Sequence, residues 1–200
     1  MFNKLGSVVR VAVPVIAVVL LTLGLGNAQE KMQQEEYQAQ AMGQSTQMGQ
    51  TFNVTVLIEE YSSPEDRQVL VEAFDKAGSH GLYNALNKMK SKGHIAITGT
   101  LGYDISFARK LPTADGVKIR VLTSRPITFG EAWTDSQSMD YNLSALEFDL
   151  VATKDKTDGT LLPACEFKIN KKTNELEIEN YQNPWKLIDV IDWNKKKNKK

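Results

Sequence analysis

The segment from Thr128 to Asn142 sets Phe129, Trp133, Met139 and Tyr141 among the carboxylates of Glu131, Asp135 and Asp140. Aromatic faces beside acids suit carbohydrate, peptide or cationic surfaces, and long irregular stretches inside compact domains are often functional. Trp133, Glu131, Asp135 and Tyr141 are therefore the first candidate ligand-binding residues. The competing reading is an ordered loop whose Trp133 packs back onto the core. Glu60 and Arg109 form a second candidate. Alternation puts Glu60 on the apolar side at a strand end, and Arg109 in register with Tyr103, Ile105 and Phe107. Charges on an inner face need partners, so a Glu60–Arg109 pair would be a polar anchor in a pocket. The alternative leaves both at strand ends with their heads in water.

Other reactive residue types give less. His80 and His94 have no Cys, Asp or Glu at a ligand-like i+2 or i+4 spacing, whereas a zinc site takes three or four ligands. Asp155-Lys156-Thr157-Asp158-Gly159 has the look of half a calcium loop, but without the third acid and distal Glu it is a hairpin turn. Cys165 is the only cysteine, so no intramolecular disulfide can form; it alternates with Leu161 and Phe167 and is expected to be a buried, inert thiol. Nucleophile-elbow, phosphate-loop and HExxH patterns are absent. No metal and no cofactor is expected.

The chain ends carry the strongest signals. Lys4 and Arg10 precede an apolar run from Val11 to Leu25, and Gly26-Asn27-Ala28 supplies small residues at −3 and −1. These are the parts of a secretory signal peptide over residues 1–28, cleaved near Ala28. The run is about 15 residues, short of the ~20 needed to span a bilayer, so an uncleaved anchor is the lesser alternative. The mature chain is expected in the periplasm or outside the cell. Between Thr51 and Trp193, 16 Lys/Arg face 21 Asp/Glu, a net of −5, while the last six residues carry five lysines. Such a tail suits weak, salt-sensitive contact with anionic surfaces. No basic stripe with interleaved aromatics favours nucleic acid.

Those residues must be positioned by a fold, and the pattern predicts α+β. Residues 29–50 contain eight Gln and no Val, Ile, Leu or Phe, a composition that predicts a flexible linker. Residues 51–193 form the expected single domain, and 194–200 the basic tail. Phe52, Val54, Val56 and Ile58 alternate as a half-buried strand. Ser63-Pro64-Glu65-Asp66 starts a helix that Gly78 ends, and a second runs from near Ser79 to Gly93. Period-two alternation then continues through Ile178, predicting a curved antiparallel sheet of about six to eight strands with one face covered by the two helices. Asn183-Pro184 and the spacing of Lys186, Asp189 and Asp192 predict a short C-terminal helix.

Strand, two helices, a run of antiparallel strands and a terminal helix resemble, in order alone, the helix-grip fold of START and plant-allergen-type lipid carriers. The resemblance covers most of residues 51–193 and implies a cavity closed by the last helix. The run from Phe52 through Trp185 also resembles secreted bacterial domains of no assigned activity. Three functions fit the sequence: an exported non-enzymatic domain that binds a ligand or an envelope protein, an exported hydrolase-type enzyme with an acidic site, and an envelope structural or assembly factor. The first is the one expected.

Overall fold

The computed structural model describes residues 34–127, 141–151 and 157–194. Within them the chain runs β1 (Glu35–Gly43), a short 3-10 turn (Ser45–Gln47), β2 (Thr51–Ile58), α1 (Pro64–Leu86), β3 (Gly93–Ile97), β4 (Tyr103–Pro112), β5 (Gly116–Thr123), β6 (Leu143–Val151), β7 (Asp158–Asn170), β8 (Glu175–Gln182) and β9 (Trp185–Asp192). The protein is α+β and mostly antiparallel sheet. Eight strands close on themselves in the order β6-β5-β4-β3-β2-β1-β9-β7, with β7 pairing back to β6. The predicted open sheet with one covered face is thus a barrel. Closure removes the sheet edges that an open sheet must otherwise protect.

An eight-stranded barrel is just wide enough to be filled by its own side chains. Tyr37, Val54, Val56, Ile58, Ile95, Ile105, Ile119, Val121, Phe148 and Trp185 are among the buried residues of this inner core. Tyr37 and Phe148 rings lie 5.4 Å apart, and Phe52 and Trp185 rings 4.7 Å apart. A second core lies outside the wall, where Leu70, Leu82 and Leu86 of α1 meet Phe107, Leu122, Leu143, Leu162 and Phe167. The sequence hides this layering because both faces of β4–β7 are apolar over part of their length.

Four expectations are corrected. Residues 35–43 are not part of a flexible linker but a barrel strand, paired to β2 (Tyr37↔Val56) and to β9 (Tyr37↔Asp192). Tyr37, Ala39 and Ala41 point inward and are buried. Alanine is only weakly apolar, so the period-two signal was masked by the glutamines that alternate with it.

The two predicted helices are one 23-residue helix, bent where Ala77 (φ −147°) and Gly78 (φ 57°) leave helical geometry. Glycine takes that left-handed φ without steric cost. The N-terminal reading holds: Ser63 Oγ accepts from the Asp66 N–H and the Asp66 carboxylate from the Ser63 N–H, a capping box with Pro64 next in line.

The predicted C-terminal helix is strand β9. Trp185 and Leu187 are buried inside the barrel, and Val190 packs against the same core. The step from 187 to 190 arises from a β-bulge at Asp189 (φ 52°), where the β1 partners jump from Ile188 to Ile191. That irregular spacing imitates a helical period. With a strand here, the element order departs from the helix-grip order.

Finally, the sheet has nine strands, because β8 and β9 are two halves of one long strand. Ala164↔Gln182 and Leu161↔Trp185 share a single unshifted register along β7. The β9 half closes the barrel. The β8 half, beyond the expected turn at Lys171–Asn174, folds over the outer wall beside α1, where Arg67 and Arg109 both reach Glu175 and Arg120 donates to the Leu176 carbonyl.

No helix among the described residues is long and apolar enough to cross a membrane.

Candidate functional site

Since α1 and the β7–β8 hairpin cover the outside of β4–β7, no described helix or hairpin packs over the outer wall of β9, β1 and β2, and there the surface forms an open groove of about 440 Å³. Its floor follows from strand register. Gln38 lies opposite Thr55 and Gln40 opposite Asn53 across β1–β2. On the other side Gln38 neighbours Ile191 and Gln40 neighbours Ile188 of β9. Asp189, in the bulge, completes the lining. Two polar pairs thus cross β1 and β2, and β9 continues the rows with Ile191 and Ile188, beside Asp189.

Alternation explains why these residues gather: Tyr37, Ala39 and Ala41 fill the barrel, so the glutamines between them must face out. Gln38 is engaged by Glu36, its amide 2.9 Å from the carboxylate. Among the described residues the side chains of Gln40, Asn53, Thr55 and Asp189 hold no hydrogen bond or ion pair. Each amide offers both donors and acceptors, the hydroxyl one of each, and the carboxylate accepts only. Asp189 is also held in a left-handed backbone conformation that a non-glycine residue rarely takes. Such geometry clusters at functional positions.

A second polar cluster closes the barrel end where β1 begins. The Glu35 carboxylate accepts hydrogen bonds from the Tyr37 and Tyr61 hydroxyls, both at 2.6 Å, and from Lys110 Nζ at 2.5 Å. Burial works against the charged carboxylate, but these donors outweigh it and hold the Glu35 carboxyl below its ordinary pKa. Burial, then the bond to Glu35, pushes both tyrosine hydroxyls up. These bonds tie β1, β4 and Tyr61 together, a lock at this end of the barrel.

The sequence-derived candidates separate. Glu131, Trp133 and Asp135 lie outside the described residues. Tyr141 is half-buried just before β6, on the far side of β7 from the groove. Glu60 and Arg109 do not meet. Glu60 faces Lys92 at 3.5 Å, and Arg109 pairs with Glu175 at 2.5 Å. The reason is a bulge in β4: between Ile105 and Phe107 the register to β5 shifts, so Phe107 and Arg109 turn to the outer wall while Ala108 stays inside. Cys165 is buried, its Sγ 3.4 Å from the Leu143 carbonyl, and burial pushes its thiol up. His94 Nδ1 lies 3.5 Å from Asp104, and no metal-holding cluster occurs among the described residues.

Sequence reasoning missed the groove because it assigned Gln38 and Gln40 to a linker. The signal was present in the alternation of Tyr37, Ala39 and Ala41 with glutamine. No protein-family model matches the chain, and no curated protein and no solved structure matches it.

Proposed function

We propose that this chain is an exported, non-enzymatic binding domain whose ligand is a hydroxyl-rich molecule, a glycan segment, seated in the groove on β9, β1 and β2. The signal-type N-terminus supports the export. The observation that carries the binding reading is the set of uncommitted amide, hydroxyl and carboxylate side chains across the bare barrel wall. Sugar hydroxyls both donate and accept, and paired amides with a carboxylate match that double character. Ile191 supplies an apolar side chain to the lining.

Screening the mature chain against immobilised glycans tests this. Retention of at least one glycan is expected, with loss in a Gln40→Ala, Asn53→Ala double variant whose melting temperature is unchanged. Retention of none, or equal retention by the variant, overturns the reading.

A further inference from the structure

The groove on β9, β1 and β2 has a direction, set by its lining. On β1 it takes Gln38, Ala39 and Gln40, and on β2 Asn53, Val54 and Thr55. Ala39 and Val54 belong to the inner core, with their side chains inside the barrel. What they present outward is backbone, the floor of a trough between two rows of side chains. Register sets the walls: Ile191, Gln38 and Thr55 stand on one side, Ile188, Gln40 and Asn53 on the other. The trough therefore runs across the strands. Two residues along a strand advance about 7 Å, so the walls admit one extended chain and leave no room for a branch.

Beyond β2 the trough continues onto β3. Ile97 pairs with Val54 and also fills the barrel, so its backbone extends the floor. Ala96, opposite Thr55, makes a low wall, and Thr98 beside Asn53 places a hydroxyl on the other. Ala96 and Asp189, at the two mouths, are both exposed, so a chain can run through. From β9 to β3 are three strand-to-strand steps of about 5 Å each. A ring in an extended β-1,4-linked pyranose chain advances by a similar length, which sets one ring over each strand. Alternate rings of such a chain are turned over, so hydroxyls line both of its edges, and both walls carry groups that donate and accept. The floor disfavours a peptide. An extended peptide takes main-chain hydrogen bonds from a sheet edge, whereas β1 and β2 are each paired on both sides.

We infer that the groove holds an internal stretch of a linear β-1,4-linked glycan, lying across the strands from Asp189 on β9 to Ala96 on β3. Resting on the glycan reading, this adds the shape of the ligand: unbranched, about one ring per strand, with no chain end required.

Calorimetric titration of the processed chain with cello-oligosaccharides and with N-acetylated chito-oligosaccharides of two, four and six rings tests it. In at least one series the Kd should fall several-fold from two rings to four and little from four to six. Reducing the terminal ring to its alditol should leave the six-ring Kd in place. Ala96→Leu raises the wall at the β3 exit and should remove most of the gain from two rings to four, with melting temperature unchanged. If that variant does not fold, the length series on the unaltered chain carries the test. Equal Kd at every length, loss of binding on reduction of the end ring, or the full gain kept by a folded Ala96→Leu overturns the inference. So does failure of both series while the glycan screen retains another glycan, a result that leaves the glycan reading standing. A screen that retains nothing removes both.

Discussion

Lys110 Nζ lies 2.5 Å from the Glu35 carboxylate, tying β4 to β1 across the mouth of the barrel. The contact exists because of the bulge that follows Ile105. Without the extra residue, Arg109 would point inward and Lys110 outward. With it, Arg109 joins Glu175 on the outer wall and Lys110 reaches Glu35, 4.6 Å above the Tyr61 ring. Tyr61 follows β2 and Tyr37 lies in β1, so a single carboxylate gathers three parts of the chain.

The first prediction is a pH dependence. A carboxyl whose folded pKa is depressed adds stability that is fully present above its unfolded value, about 4.3 for Glu, and is lost as pH falls through the folded value. Glu35 is held low in this way. At neutral pH, Glu35→Gln should cost about 1–3 kcal/mol, since buried donors keep a weaker acceptor. In thermal melts taken into acid, the wild-type curve should fall toward that of the variant. Asp66 is held low too, burial being outweighed by the Ser63 backbone and Lys92, so the variant should keep part of the slope. Parallel curves would remove Glu35 from the account.

The second prediction concerns β1. Truncating the chain to begin at Thr51 removes a strand paired on both sides and leaves β2 and β9 with open edges. The truncated chain should lose cooperative unfolding by circular dichroism and associate through those edges. If residues 29–50 were a solvated arm, the truncated and full-length melts would superimpose.

What the sequence made legible was the regular part. Val54, Val56 and Ile58 alternate strictly and are buried together; Ser63, Pro64 and Asp66 start the helix as capping chemistry requires. The misread strands fall where a bulge or a weak hydrophobe interrupts the period. Ala39 and Ala41 are too small to signal a strand, although barrel geometry buries them. The bulges after Ile105 and at Asp189 each reverse the facing of the residues beyond them, which misplaced Arg109 and made β9 resemble a helix. A one-residue shift exchanges the two faces of a strand, and the energy that selects the shift comes from partners distant in sequence. The groove was illegible for the same reason, since its residues meet only once β9 has closed the barrel.

The third prediction separates two helix positions. Leu86 is fully buried in the outer core, while Phe74 is only partly buried against it. Leu86→Ala should cost about 2–5 kcal/mol through lost transfer energy and a residual cavity. Phe74→Ala should cost less, because solvent already reaches part of the ring and can fill what truncation leaves. Urea titrations of the two variants decide it; equal losses would place Phe74 deeper than its exposure indicates.

The last prediction separates binding from folding at Asp189. Its φ of 52° places a non-glycine residue in the left-handed region, which costs roughly 1–2 kcal/mol for most side chains and less for Asp. Asp189→Gly removes the carboxylate and that strain together, at the expense of a more flexible unfolded chain. Stability should change by less than about 1 kcal/mol, as the two effects oppose each other. Asp189→Ala removes the same carboxylate but keeps a Cβ in a conformation alanine tolerates poorly, so it should lower the melting temperature. If Asp189 serves the groove, both variants should weaken glycan retention equally despite their different stabilities. Retention that instead follows stability, intact in the Gly variant and reduced only in the Ala variant, would show that Asp189 acts through the bulge it shapes and touches no ligand.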